Sequence, residues 1–227
     1  MAEGVYQVAI DGPAASGKST TARLVAGDLG IQYLDTGAMY RALTLDVLRH
    51  GHAPTDPTAV LERLSRLELD WREDRVWLGE EDPGEAIRSN EVSVRMGPIC
   101  AMPAVREWMV DLQRRLGQRQ STVLDGRDIG TVVFPQARFK FFLVADLAER
   151  ARRRQRELEA RGQQHTLQAL MDELERRDLS DASRSTGPLR QAEDAILVDT
   201  TTLGLEEQAA LIIKQVRLVL TREAFCD

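Results

Sequence analysis

The sequence predicts an α/β fold in which short buried strands alternate with helices around a parallel sheet. Three observations carry this. Short apolar runs at residues 5–10, 31–34, 122–124, 139–144 and 196–198 are mostly followed by Gly or Asp, as buried parallel strands are. Segments with helical spacing fill the intervals between them, so the strands are joined by crossovers. Residues 65–95 alone show strand alternation, with Leu67, Leu69 and Trp71 interleaved by Glu68 and Asp70, followed by a second short run at 76–78.

The elements follow in order. The first strand, 5–10, runs into Gly12, and a helix over 19–29 follows, stopped by Gly30. The second strand, 31–34, turns through Asp35-Thr36-Gly37 into a helix over 38–48. Asp56-Pro57 reads as an N-cap and first helical position, opening a helix to Leu64. The alternating segment is expected to be an antiparallel insertion, and a helix starts after Pro103 and reaches about Arg115. The third strand ends at Asp125, and the fourth covers 139–144. Charge-rich helices are expected at about 147–160 and 166–177, the fifth strand ends at Asp199, and an amphipathic helix covers about 205–220.

A chain of 227 residues suits one domain with an elaboration, and 43% hydrophobic residues can build a core, which excludes disorder. No apolar run reaches the ~20 residues that a membrane span needs. The first residues show no secretory pattern, so a cytoplasmic location is expected. Cys100 and Cys226 lie far apart, with no metal-ligand spacing around them, and read as inert thiols. A net charge of −6 argues against a nucleic-acid surface. Arg150, Arg152, Arg153, Arg154, Arg156 and Arg161 crowd one segment, which alone reads either as a solvated helix face or as phosphate clamps.

Gly12-Pro13-Ala14-Ala15-Ser16-Gly17-Lys18-Ser19 satisfies G-x-x-x-x-G-K-[ST] between a predicted strand and a predicted helix, with Thr20 next. Glycines let backbone N–H groups curl towards phosphate oxygens, and the helix N-terminus adds its positive end. Lys18 supplies a point charge for the β- and γ-phosphates, and the Ser19 hydroxyl can ligate Mg²⁺. Only Lys18, Lys140 and Lys214 are lysines among the basic residues, so a lysine here is not drift. The motif leaves switches, motors and small-molecule kinases open, although the N-K-x-D of a guanine switch is absent. Thr36 and Arg41, after the second strand, suit a second phosphate. Asp125, ending the third strand, suits Mg²⁺, and Asp128 is a further carboxylate in the same stretch.

Several stretches resemble the bacterial cytidylate kinases, of the nucleoside monophosphate kinase superfamily of P-loop proteins. They are residues 11–20, Leu34-Asp35-Thr36-Gly37-Ala38-Met39-Tyr40-Arg41, Ile87-Arg88 with Glu91-Val92, Val105-Arg106-Glu107, Asp125-Gly126-Arg127-Asp128 with Gly130-Thr131-Val132-Val133-Phe134-Pro135, Glu149-Arg150-Ala151, Arg177-Asp178 with Asp181 and Arg184, and Pro188-Leu189. They span nearly the whole chain. The resemblance implies a five-stranded parallel core with helices on both faces, formed by 1–64 and 96–227. It further implies a small antiparallel monophosphate-binding insert at 65–95 and a helical lid at about 150–165. It implies transfer of a phosphoryl group from ATP, with Mg²⁺, to CMP and dCMP, and a monomer is expected. Arg41, Arg127 and Arg177 would then hold the acceptor phosphate. Arg106, Asp128 and Arg184 would read the base, Asp181 the sugar, and Arg153 or Arg154 would close over the phosphates. One departure stands out. Gly97, followed by Pro98, occupies the place where the family usually has a serine that helps read the base, so Ser93 or a water is an expected substitute. A P-loop kinase for UMP, AMP or a small metabolite, and a nucleotide-binding regulator without an acceptor, are the competing readings.

Overall fold

The computed structural model describes residues 4–224, so Cys226 lies outside the described residues. In chain order the elements are β1 (Gln7–Asp11), α1 (Lys18–Leu29), β2 (Gln32–Asp35), α2 (Thr36–Arg49), α3 (Pro57–Ser65), β3 (Leu69–Arg72), β4 (Arg75–Leu78), α4 (Asn90–Ala101), α5 (Pro103–Gly117), β5 (Thr122–Gly126), β6 (Phe139–Val144), α6 (Leu147–Glu159), α7 (Leu167–Ala182), β7 (Ile196–Asp199) and α8 (Leu205–Ala224). A 3₁₀ turn at Gly84–Arg88 and a π-helical turn at Ile129–Val133 complete them. The chain divides into two compact units. One runs through Tyr33 and resumes at Gln120, and the other is Leu34–Arg119.

The expected five-stranded sheet is present, in the order β2-β5-β1-β6-β7. β1 pairs in parallel with β5, Ile10 opposite Asp125 and Asp11 opposite Gly126, and with β6, Asp11 opposite Phe142. β6 pairs in parallel with β7, Val144 opposite Asp199. The carboxyl ends of β1 and β5 therefore lie side by side, where ligands bind in open α/β sheets. On β1, Val8, Ala9, Ile10 and Asp11 are all buried, as expected of a strand with both faces covered. Ala22, Val25 and Ala26 of α1 and Ala209, Ile212 and Val216 of α8 pack on Val8, Ile10, Val123 and Phe141 in one core. A second cluster joins Ala14 to Ala151 and Leu158 of α6 and to Leu170 and Leu174 of α7.

In the Leu34–Arg119 unit α2 packs on α3, α4 and α5. The Asp56 carboxylate caps α3, accepting from Thr58 N at 3.0 Å and Ala59 N at 3.3 Å. The expected alternation yields the antiparallel pair β3–β4, with Trp71 opposite Val76.

Two differences from the sequence reading have physical causes. The alternation covers only part of 65–95, and a helix not expected there, α4, begins at Asn90 and runs through Gly97 and Pro98, two poor helix formers. Ser89 caps α4 by accepting from Val92 N, and Val92, Met96, Ile99 and Cys100 bury one stripe, while Gly97 and Pro98 fall on the exposed side. Burial of the stripe outweighs the helix penalty of Gly and Pro. α7 also runs on to Ala182, which puts Arg177 and Asp181 one turn apart on one helix. Among the described residues no helix is long and apolar enough to cross a membrane.

Candidate active site

The glycine-rich loop leaves β1 and opens α1. A Cβ at Gly12 would come within 2.2 Å of the Leu143 carbonyl oxygen, so only glycine lets the loop lie against β6. Gly17 takes φ +91 and is the N-cap of α1, where it offers no side chain to accept the first N–H groups of that helix. Those donors and the positive end of the helix suit an anion. The hydroxyl of Ser16 is buried and has no hydrogen-bond partner among the described residues, which fits a loop built around a phosphate.

Lys18 is 5% exposed, and its Nζ donates to the Pro13 carbonyl at 2.7 Å. Burial pulls its ammonium well below the usual lysine range. The Arg127 and Arg177 charges push the same way, and Asp125 and Asp181 oppose them. A phosphate anion in the loop would favour its charged form. The Ser19 hydroxyl donates to Asp125 Oδ2 at 2.6 Å, and the Tyr33 hydroxyl donates to Asp125 Oδ1 at 2.8 Å. The two residues expected at Mg²⁺ are thus adjacent hard oxygen donors, a set that fits a small divalent cation shared with phosphates. Thr20, also expected at the donor, is exposed on the first turn of α1.

Three of the residues expected at the acceptor gather around one carboxylate. Arg127 Nε donates to Asp181 Oδ2 at 2.7 Å, and Arg184 Nη2 donates to Asp181 Oδ1. Burial would raise the Asp181 carboxyl, but Arg127, Arg184 and Arg177 together hold it below the usual carboxylate range. Asp128 is buried beside this cluster's Arg127 in sequence, and its carbonyl accepts from Val132 N and Val133 N at 2.8 and 3.2 Å.

In the Leu34–Arg119 unit a second group of cations surrounds Asp35. Its carboxylate caps α2 at Ala38 N, 2.8 Å, and accepts from Arg41 Nη2 at 2.9 Å and Arg88 Nη2 at 3.5 Å. Burial would raise Asp35, but Arg41 and Arg88 hold it below the usual range. Two guanidiniums on one carboxylate leave net positive charge, and the buried Nε of Arg41 has no hydrogen-bond partner among the described residues. Thr36 opens α2, and Arg106 is 2% exposed on α5.

The two lid arginines differ in setting. Arg153 donates to the Thr200 hydroxyl at 3.2 Å and to the Ser16 carbonyl at 3.3 Å, while Arg154 pairs with Glu157 at 3.0 Å on the same helix. A residue given no individual role from the sequence grips the loop more firmly. Arg150 is buried, and its Nη1 donates to the Ala14 carbonyl at 3.1 Å and to Asp178 Oδ2 at 2.5 Å. Gln208 is a second such residue. Its Oε1 accepts from Thr21 at 2.9 Å and lies where a side chain on Gly17 would go. Asp11 is a third, its carboxylate accepting from Ile129 N and Gly130 N. Nothing in residue spacing marks these three, because each acts across more than 100 residues or, for Arg150–Asp178, between two helices.

Comparison with known proteins identifies the family. A family model described as cytidylate kinase matches residues 8–218. A cytidylate kinase of Chlorobaculum tepidum is 44% identical over 223 residues, covering 96% of this chain and 95% of that protein. One from Streptococcus pneumoniae is 46% identical, covering 88% and 92%. Among solved structures, an uncharacterized protein from Eubacterium ventriosum shares the fold with a TM-score of 0.52 at 12% identity, covering 93% of this chain and 98% of that one. With the phosphate loop complete and the match running nearly end to end, this chain belongs to the cytidylate kinase family.

Proposed function

We infer that the protein transfers the γ-phosphoryl group of ATP to CMP and dCMP, giving ADP with CDP or dCDP. The observation that carries this reading is family membership over residues 8–218, with an intact phosphate loop at its start. An oxygen of the acceptor phosphate attacks the γ-phosphorus, the bond to the β–γ bridging oxygen breaks, and ADP leaves. Such transfer needs no covalent protein group. It needs positioning and neutralisation of charge.

The chain's own residues divide that work. The N–H groups of residues 12–20 and the Lys18 ammonium hold the β- and γ-phosphates. Ser19 and Asp125 would hold Mg²⁺, which when bound supplies neutralising charge to the phosphate oxygens. Arg41, Arg127 and Arg177 receive the acceptor phosphate, Asp181 the sugar, and Arg106, Asp128 and Arg184 the base. Arg153 or Arg154 moves onto the phosphates when the lid, residues 150–165, closes. Closure keeps water out and suppresses hydrolysis of ATP. The insert at 65–95 belongs to the monophosphate side. We take the protein to work as a cytoplasmic monomer on small molecules.

The test is product identification. Purified protein incubated with CMP, ATP and Mg²⁺ should yield CDP and ADP in equal amounts on anion-exchange chromatography. ADP without CDP would instead indicate a nucleotide-hydrolysing regulator.

A further inference from the structure

Asp11 is the last residue of β1 and directly precedes the phosphate loop. Its carboxylate is buried, and its hydrogen bonds go away from the loop it adjoins. Instead Oδ1 accepts from Ile129 N at 2.9 Å, and Oδ2 accepts from Gly130 N at 2.8 Å. These are the first two residues of the π-helical turn that follows Asp128. The turn is a tight device. Val132 N and Val133 N both bond to the Asp128 carbonyl, and Phe134 N bonds to the Ile129 carbonyl at 2.7 Å. The backbone on the carboxyl side of Asp128 is therefore pinned twice, by its own turn and by Asp11. Insertions of this π type cluster at functional sites.

The far side of the turn is held by Lys140 on β6. Its stem lies across Gly130, where an added Cβ would come 3.2 Å from Lys140 Cδ. Its Nζ donates to the Pro135 carbonyl, just past the turn, and to both Asp194 oxygens at 2.9 and 2.7 Å. Two of the few buried charged side chains of the sheet thus converge on five residues.

A fastener needs no charge beside another carboxylate. Burial pushes the Asp11 carboxyl up to about 7. The two amide bonds oppose that shift, the Asp128 charge adds to it, and Lys18 opposes it. Strained electrostatics of this kind concentrate where geometry serves chemistry.

We propose that Asp11 is a positioning residue for acceptor recognition: by fastening the Ile129 and Gly130 amides, with Lys140 bracing the other side of the turn, it fixes the direction of the Asp128 carboxylate. The inference rests on the reading that Asp128 meets the base. Asp11 itself touches no substrate. Its part is to tie base recognition to the strand that carries the phosphate loop.

The test compares Asp11→Asn, Lys140→Met, Asp128→Ala and the Asp11→Asn/Asp128→Ala pair. For each, kcat and KM are measured with CMP, UMP and ATP, alongside the thermal midpoint. Asn keeps the shape of Asp11 but sets an amide N–H₂ against one backbone N–H. A merely structural role would lower the thermal midpoint and the yield of active enzyme while leaving the CMP:UMP ratio of kcat/KM unchanged. A positioning role lowers that ratio, by about 10-fold for Asp11→Asn, through a higher KM for CMP with the KM for ATP nearly constant. In the double variant no further fall beyond Asp128→Ala is expected, because both act through one contact. If Asp11→Asn does not fold, Lys140→Met, which leaves both amide bonds intact, carries the same expectation. A collapsed ratio in Asp128→Ala with an unchanged ratio in the folded Asp11 and Lys140 variants overturns this inference alone. An unchanged ratio in Asp128→Ala overturns the base reading and the inference together.

Discussion

Arg127 Nε donates to Asp181 Oδ2 at 2.7 Å, so two residues assigned to different parts of the acceptor hold each other. Arg184 occupies the other carboxylate oxygen. Asp181 is thus both a candidate sugar contact and the counter-charge that keeps buried guanidiniums in place. Asp181→Ala is expected to raise KM for CMP and for dCMP by about 10-fold or more, with a smaller effect on kcat. Removing one partner of a buried pair should also lower stability, by about 3 kcal/mol. Steady-state kinetics on both substrates check this. Unchanged KM values would show that the sugar binds elsewhere.

The same cluster sets a pH dependence. Burial alone would raise the Asp181 carboxyl, and the three arginines bring it below its usual range. A carboxylate depressed in the folded state stabilises fully above its unfolded pKa of about 4, and that contribution disappears as pH falls through the folded value. Arg127→Met removes the largest cation, so Asp181 should titrate at higher pH and acid unfolding should begin earlier. Carboxyl-carbon NMR titration of both proteins measures this. Identical Asp181 titrations would contradict the pairing.

Lys18→Ala should reduce turnover by about 1,000-fold, since its charge acts on the transferring phosphoryl group. The fold should survive, with a thermal midpoint within a few degrees, because the ammonium is buried at a cost and burial lowers its pKa. Near-normal CDP formation by the folded variant would contradict the placement of the donor.

Gly97 offers a gain-of-contact test. It lies in helical α4, and an added Cβ would meet nothing within 4 Å. Serine therefore fits, and its helix propensity adds about 0.5 kcal/mol. Ser93, the expected substitute, directs its hydroxyl to the Ser89 carbonyl at 2.9 Å, an ordinary helix back-bond. Gly97→Ser should raise the CMP:UMP ratio of kcat/KM. A constant ratio would remove this position from base reading.

The strands, the phosphate loop and most helices were legible because their causes are local. An apolar run followed by glycines predicts β1 and the loop, and Asp56-Pro57 predicts α3 through a cap that the structure contains. α4 was not legible because Gly97-Pro98 argues locally for a break, while the burial of Met96 and Ile99 that overrides it is tertiary. In the site, Lys18, Ser19 and Asp125 carry motif chemistry, and the structure brings the last two to 2.6 Å. The roles of Asp11, Arg150 and Gln208 escaped because their partners, Gly130, Ala14 and Thr21, lie 119, 136 and 187 residues away. The parallel sheet and its crossovers make those neighbours, and no residue spacing announces them.

The most direct measurement is the initial rate of ADP formation by the unmodified protein with ATP, Mg²⁺ and, in turn, CMP, dCMP, UMP, AMP or no acceptor. Fast turnover is expected with CMP and dCMP, and kcat/KM for UMP lower by about 10- to 100-fold, since a uracil oxygen would face the Asp128 carboxylate as acceptor against acceptor. Only a trace rate is expected with no acceptor. Equal rates with and without CMP, or a preference for AMP or UMP over CMP, would contradict the proposed function.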